Sequence, residues 1–199
     1  MPLPARALRV LCGIHSTLMP AMPFAAAGRT EKTKTLLPLT EKQIRSSFLN
    51  ASQRERSNLN LPENFDSLDW ENLDFMGWRD RKYPALGYVI GWVDGAPAGI
   101  LFRHVEGRIR SRAQCSWCED VTLPNEVVYF NAKRPGPAGR NGNTITTLMC
   151  TSFECSTNVR RPAPPAYVGF DVEAARQGRM HGLQQQVQNF MHNMLAGAE

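Results

Sequence analysis

The pattern of hydrophobic and polar positions first becomes regular at a helix start. The side-chain oxygens of Thr40 and Gln43 can each accept a hydrogen bond from the backbone N–H of the other residue, which is a capping box. This signal predicts a helix from about Glu41 to Ala51. Ser52 and Glu55 repeat the same spacing, so the pattern also indicates that the helix restarts there.

Residues 62–80 are dense in aromatic and acidic side chains. Large rings dominate burial, so the segment is predicted to be a looped stretch that lays its rings on a sheet. An acidic recognition face is the alternative. The residues concerned are Phe65, Trp70, Phe75 and Trp78 with Asp66, Asp69, Glu71, Asp74 and Asp80.

Two antiparallel hairpins are predicted further along the chain. Asp94-Gly95 separates two β-prone runs, Tyr88–Val93 and Ala98–Arg103, and this dipeptide is a strong signal for a tight turn. Val127–Ala132 and Thr144–Met149 form the strands of the second hairpin, with a Gly- and Pro-rich loop between them.

The C-terminal end is predicted to be a helix. Apolar residues recur there at spacings of three and four, which is the period of one helical face packed on a core. They are Met180, Leu183, Val187, Phe190, Met191 and Met194.

Residues 1–35 are predicted to be a disordered extension. Their short apolar run is interrupted by polar residues and prolines, so the alternative of a secretory signal is weak. A start codon assigned too far upstream is a third explanation. Cys12 lies in this extension without a spaced partner and is expected to be a free thiol.

The composition is that of a globular protein and not of a disordered one, with 42% hydrophobic and 21% charged residues. The net charge is +5. No apolar run approaches the roughly 20 residues of a membrane-spanning helix, so no membrane role is expected. Residues 101–161 form a basic block with nine Lys and Arg against five Asp and Glu, and four of the five cysteines lie in the same block. This coincidence is the main clue to chemistry.

The cysteines form two pairs on either side of the second hairpin. Cys115 and Cys118 have the spacing of a zinc knuckle, and Cys150 and Cys155 lie at the end of the hairpin and in a short helix predicted over 151–158. Knuckle, hairpin and helix in this order are typical of a treble clef, which would hold Zn²⁺ with four thiolates. The predicted fold class is therefore α+β: antiparallel hairpins with a four-cysteine treble-clef zinc finger at about 108–165 and flanking helices.

Other uses of the four cysteines are less favoured. Disulfides require an oxidising compartment, a redox C-x-x-C needs no second pair, and an iron–sulfur cluster usually has more closely spaced ligands. Four thiolates would give the zinc site a formal charge of −2, and Arg108, Arg110 and Arg112 could offset it. Such a site is coordinatively closed, and the chain contains no recognisable catalytic motif, so a non-enzymatic protein without a small-molecule substrate is predicted.

Five segments of the chain carry a resemblance to a known family. They are Leu39-Thr40-Glu41-Lys42-Gln43-Ile44-Arg45, Leu68-Asp69-Trp70, Leu73-Asp74-Phe75-Met76-Gly77-Trp78-Arg79-Asp80, Arg112-Ala113-Gln114-Cys115-Ser116-Trp117-Cys118, and Gly142-Asn143-Thr144 leading to Cys150. In these segments the chain resembles the elongation factor G-binding, treble-clef zinc-finger family, which includes the fusidic-acid-resistance proteins. The similarity covers about Pro38 to Leu195, and the cysteine set is its most specific part.

The resemblance implies that residues 36–199 form a factor-binding domain with Zn²⁺ on Cys115, Cys118, Cys150 and Cys155. The implied function is a cytoplasmic adaptor that binds elongation factor G and aids its release from the ribosome. The resistance proteins carry an extra helical domain before the zinc domain, so binding is implied more directly than release. The docking candidates around the finger are Phe130, Lys133, Arg134, Arg140 and Phe153, and their alternative role is a solvated basic loop with two core rings.

The competing function is direct binding of RNA or of the ribosome through basic residues and stacked aromatics. Against it, the strong stacking residues lie in the acidic segment and not among the arginines.

Overall fold

Two short helices begin the part of the chain that the computed structural model describes, which is residues 36–107, 113–120 and 126–196. Helix α1 spans Glu41–Ser47 and helix α2 spans Gln53–Ser57, and each begins with the predicted capping box. The prediction of a disordered extension over residues 1–35 lies outside the described residues.

Helix α1 ends four residues earlier than predicted, because Phe48 leaves the helix to join the sheet. Phe48 is fully buried and forms a bridge with Gly99, and the Leu49 N–H donates to the Gly99 carbonyl at 2.8 Å. A tertiary contact thus overrides a segment whose local pattern favours a helix.

The segment rich in aromatic and acidic residues is a loop with two 3₁₀ turns, Phe65–Ser67 and Trp70–Asn72, as far as Asp74. Phe75 and Trp78 are buried, which confirms the prediction of rings packed on a sheet. The prediction of a loop was wrong for Met76–Arg79, which forms strand β1 at the edge of the sheet.

Four further strands join β1 in one antiparallel sheet, in which each strand pairs with the next one along the chain. Strands β2 and β3 span Leu86–Val93 and Ala96–Val105, and both residues of the Asp94-Gly95 turn have positive φ, as a tight hairpin turn requires. Strands β4 and β5 span Val127–Lys133 and Thr144–Cys150. Both predicted hairpins are confirmed.

Three further helices complete the described fold. Helix α3, Gly136–Arg140, lies in the loop of the second hairpin, and helix α4, Cys155–Arg160, follows β5. Helix α5 spans Val172–Ala196. Five residues of its predicted apolar stripe are buried, and the sixth, Phe190, is half-buried and packs on the same core.

The sheet has hydrophobic residues on both faces. Val89, Ile100 and Phe102 belong to the cluster that includes α5 and the four described cysteines. Alternate residues such as Ile90 and Leu101 belong to a second cluster with α1 and the aromatic loop. Burial on both faces fixes the register, because a slip by one residue would exchange the two sets of side chains.

Candidate metal centre

Four cysteines from three separate elements meet in the core. Cys115 and Cys118 flank a tight turn, Cys150 is the last residue of β5, and Cys155 is the first residue of α4. The Cys115 and Cys155 sulfurs lie 3.7 Å apart, as do those of Cys118 and Cys150. All four sulfurs lie within 4.8 Å of one another, and all four residues are buried.

These distances match a tetrahedral metal site. Sulfurs that lie about 2.3 Å from a central zinc ion are about 3.8 Å from one another. Disulfide sulfurs would be about 2.05 Å apart, so a separation of 3.7 Å excludes a disulfide within either pair of neighbouring sulfurs in this structure. A set of four thiolate donors is also the set that zinc accepts in structural sites.

The second hairpin brings the two pairs together. The Ser116 N–H donates to the Leu148 carbonyl at 2.8 Å, which fixes the knuckle against β5. Beyond β5 the chain turns at Phe153, whose φ is +63° and whose N–H donates to the Cys150 carbonyl at 3.0 Å. This turn places Cys155 beside Cys150 and delays the start of α4 to residue 155, four residues later than predicted.

The four sulfurs influence one another's ionisation. Hydrogen bonds from the neighbouring thiols, led by Cys118, lower the pKa of Cys115. Interactions with Cys115 in turn raise the pKa values of Cys150 and Cys155. Cys115 opposes the ionisation of Cys118, but hydrogen bonds from Cys150 and Cys155 outweigh this effect and lower the pKa of Cys118 as well. Two of the four thiols therefore ionise more easily than usual and two less easily, and a bound cation would stabilise all four as thiolates.

Both side-chain and backbone N–H groups of the described residues face the sulfurs. The buried Asn158 side chain directs its Nδ2 at Cys150 Sγ, 3.5 Å away, and at Cys118 Sγ, 4.0 Å away. The Trp117 backbone N–H lies 3.4 Å from Cys115 Sγ. Donors of this kind reduce the cost of burying negative sulfur and orient metal ligands. The predicted contribution of Arg108, Arg110 and Arg112 falls outside the described residues.

Replacement of the Asn158 side chain should weaken metal retention without removing a ligand. We expect Asn158→Leu to increase metal transfer to a competing chelator by roughly 10-fold or more, because loss of such an outer-layer donor typically costs 10–100-fold in affinity. Asn131→Leu is the matched control, since the Asn131 amide contacts only the Thr144 and Thr146 hydroxyls among its described partners. Equal transfer rates in the two variants would contradict this role.

The centre is part of the main core. Trp117 lies between Cys115 and Cys118 in sequence and is 2% exposed. Its ring packs against Phe75 at 5.0 Å and against Phe190 of α5 at 5.5 Å between centroids. Metal binding and packing of the sheet against α5 are therefore coupled.

The structure separates the five docking candidates into two groups. Phe130 and Phe153 are buried, with ring centroids 4.9 Å apart. Their prediction as surface docking residues is not supported, because the two rings fill the space above Gly77 and Gly87, where an added Cβ would approach Phe153 to 2.6 Å. The alternative prediction of two core rings is the correct one.

The three basic candidates remain at the surface. Lys133 and Arg140 are exposed, and the half-buried Arg134 donates to the main-chain carbonyl and side-chain oxygen of Asn193 at 2.8 Å each. All three line one cleft beside the second hairpin. They share a surface with one another but have no described contact with the four sulfurs.

Comparison with known protein families identifies the family to which the four-cysteine centre belongs. A model of the FBP C-terminal treble-clef zinc-finger family matches residues 43–194, which is most of the chain. The chain belongs to this family. The match confirms the family resemblance of the sequence, and the treble clef is the family's fold.

One solved structure is similar to this member of the FBP C-terminal treble-clef zinc-finger family. It is described as the structure of the fusidic acid resistance protein FusC, with a TM-score of 0.47 and 16% sequence identity. The similarity covers 63% of this chain and 54% of that chain, so the chain spans about half the length of FusC. No curated protein matches the chain. Among the described residues, no helix is both long and apolar enough to cross a membrane.

The sequence did not indicate the roles of two buried polar residues of this protein. Asn158 lies three residues after Cys155 on α4, a spacing that places the two on one helical face and could have indicated a role at the site. Asp74 is fully buried and pairs with Arg160 of α4. The pair is separated by 86 residues, so no local pattern could have shown it.

Proposed function

We propose that this protein is a zinc-binding adaptor that binds translation elongation factor G and has no enzymatic activity of its own. The observation that carries the proposal is a buried set of four cysteines with tetrahedral spacing in a chain of the FBP C-terminal treble-clef zinc-finger family. The centre supports a rigid domain, and the domain offers a basic surface to its partner.

The proposal of a structural zinc ion rests on the donor set. Four thiolates complete the coordination of Zn²⁺ and leave no position for a reacting water or substrate. The ion would hold the knuckle, β5 and α4 in place through Cys115, Cys118, Cys150 and Cys155. Because the ligands are buried, their contribution is to folding and not to catalysis.

The proposal of elongation factor G as partner rests on the family resemblance and on the charge of the surface. Lys133, Arg134 and Arg140 lie together beside the second hairpin, where they could meet an acidic protein. Since the factor works on ribosomes, the proposed location of this protein is the cytoplasm. Release of the factor from drug-stalled ribosomes would follow from binding and is a separate activity to measure.

Calorimetric titration of the full chain with purified elongation factor G tests the proposal. We expect saturable binding by the zinc-loaded protein at micromolar concentration and none by Cys115→Ser, because that variant loses a ligand. Cys12→Ser is the control, since Cys12 has no partner cysteine at ligand spacing and this variant should bind like the wild type. Absence of binding by the zinc-loaded wild type would refute the proposal.

A further inference from the structure

A cleft of about 770 Å³ lies between the segment that joins α1 to α2 and the ends of β3 and β4. We call it the basic cleft and define it by six of its lining residues. They are Leu49, Asn50, Arg103, Lys133, Arg134 and Arg140. None of the four described cysteines lines it, so it is a surface distinct from the metal centre.

The floor of the basic cleft is fixed by one side chain. Asn50 Nδ2 donates to the carbonyl of Leu101 at 2.9 Å and to that of Lys133 at 3.0 Å, while the Leu101 N–H donates to Asn50 Oδ1 at 2.8 Å. Asn50 therefore joins the N-terminal segment to β3 and β4 at once. A cleft held in this way is already formed before a partner binds, so less conformational entropy is lost on binding.

The charge of the basic cleft is unbalanced. Four cations line it, and the carboxylate in its lining is that of Glu55, which pairs with Arg103 at 2.8 Å. Arg134 donates to neutral oxygens of Asn193, so its positive charge is not neutralised by those contacts. Lys133 and Arg140 are exposed. The cleft consequently attracts negative groups.

The apolar part of the lining indicates which negative partner fits. Leu49 and Val105 offer aliphatic surface, and the described residues that line the cleft include no aromatic ring. Nucleic-acid sites without sequence preference usually provide rings on which bases stack. A peptide segment needs none, because aliphatic side chains can pack on the floor while carboxylates meet the cationic rim.

We infer that the basic cleft receives an acidic segment of the partner protein, with at least one aliphatic side chain on the Leu49 and Val105 surface. The inference rests on the proposed function for the identity of the partner. It adds the surface that is used and the chemistry that the partner must present.

A pair of charge-matched variants tests the inference. Lys133→Glu with Arg140→Glu reverses two cations of the cleft, and Lys42→Glu with Arg54→Glu reverses two exposed cations that do not line it. In titrations with purified elongation factor G, we expect the cleft variant to bind roughly 10- to 100-fold more weakly and with a smaller salt dependence. The control variant should bind within about threefold of the wild type, because charge away from the contact affects mainly the encounter rate. Metal content and melting temperature establish that both variants are folded.

The outcomes separate the inference from the proposed function. If the wild type binds the factor and the cleft variant has the same affinity as the control variant, the cleft is not the contact surface. In that case only the inference fails. If the wild type does not bind the factor, the proposed function fails, and NMR spectra of the full chain with two probes decide the inference. Shifts at the Asn50 side-chain amide with a Glu-Leu repeat peptide and not with a U12 RNA would support an acidic protein segment. Shifts with the RNA, whether alone or together with shifts from the peptide, would overturn it, and so would an absence of shifts with both probes.

Discussion

Loss of one cysteine ligand should unfold this protein. We expect Cys155→Ser, or removal of the metal by a chelator, to abolish the cooperative thermal transition seen by circular dichroism. Binding of a structural zinc ion supplies on the order of 10–16 kcal/mol, whereas the stability of a whole domain is about 5–15 kcal/mol. The metal-free chain therefore lacks the free energy to hold Trp117 and the surrounding rings in place.

The control for this prediction lies in the chain itself. Cys12→Ser removes a cysteine that has no partner at ligand spacing, and it should leave both the metal content and the transition unchanged. Metal analysis of the purified wild type should give one zinc per chain. A reduced, metal-free protein that melts at the same temperature as the wild type would show that the four cysteines pack as ordinary core residues.

Local patterns in the sequence were enough to predict several elements of the fold. Three kinds of signal depend only on residues close together in the chain, so they can be recognised without knowledge of the tertiary structure. They are the Asp94-Gly95 turn, the two capping boxes and the apolar stripe of α5. The cysteine spacing predicted the cluster because a ligand set depends on residue type and separation more than on neighbouring side chains.

The missed boundaries depend on contacts between distant residues. Phe48 ends α1 by pairing with Gly99, and Phe153 delays α4 by adopting a positive φ that few non-glycine residues take. Phe153 and Phe130 are close in sequence to ligands or to the basic loop, which suggested a surface role. Their burial follows from the space that Gly77 and Gly87 leave on the sheet, and this appears only in three dimensions.

The residues of the Trp78-Arg79-Asp80 run each have a structural role. Trp78 Nε1 donates to the Asn60 carbonyl at 2.8 Å, and the Arg79 guanidinium lies 5.3 Å from the centre of the Phe130 ring. Asp80 is buried and accepts hydrogen bonds from the Tyr83 N–H at 2.9 Å and the Tyr88 hydroxyl at 3.0 Å. These three consecutive residues thus contact the segment after α2, the core ring of Phe130 and the β1–β2 connection, so each has a structural role in the fold.

The ion pair between Asp74 and Arg160 connects the metal centre to the remainder of the fold. The Asp74 side chain is fully buried and accepts from Arg160 Nη1 at 2.5 Å and from Gln184 Nε2 of α5 at 2.9 Å. The Asp74 N–H donates to Ser156 Oγ of α4 at 3.0 Å. Asp74, two residues before the start of β1, therefore orients α5 and also α4, which begins with the ligand Cys155.

Asp74→Ala should consequently destabilise the protein by about 3–5 kcal/mol, because it leaves the largely buried Arg160 guanidinium without a carboxylate. Denaturant unfolding of the zinc-loaded protein measures this loss, and chelator competition should show faster metal transfer because the two equilibria are linked. Glu173→Gln in α5 is the matched control. Hydrogen bonds from Arg176 hold the pKa of Glu173 at about 2, but this pair is exposed to solvent, so its loss should leave the unfolding midpoint unchanged. Similar midpoints for the Asp74 and Glu173 variants would mean that the buried pair does not couple α4 and α5, and that the metal alone fixes the position of α4.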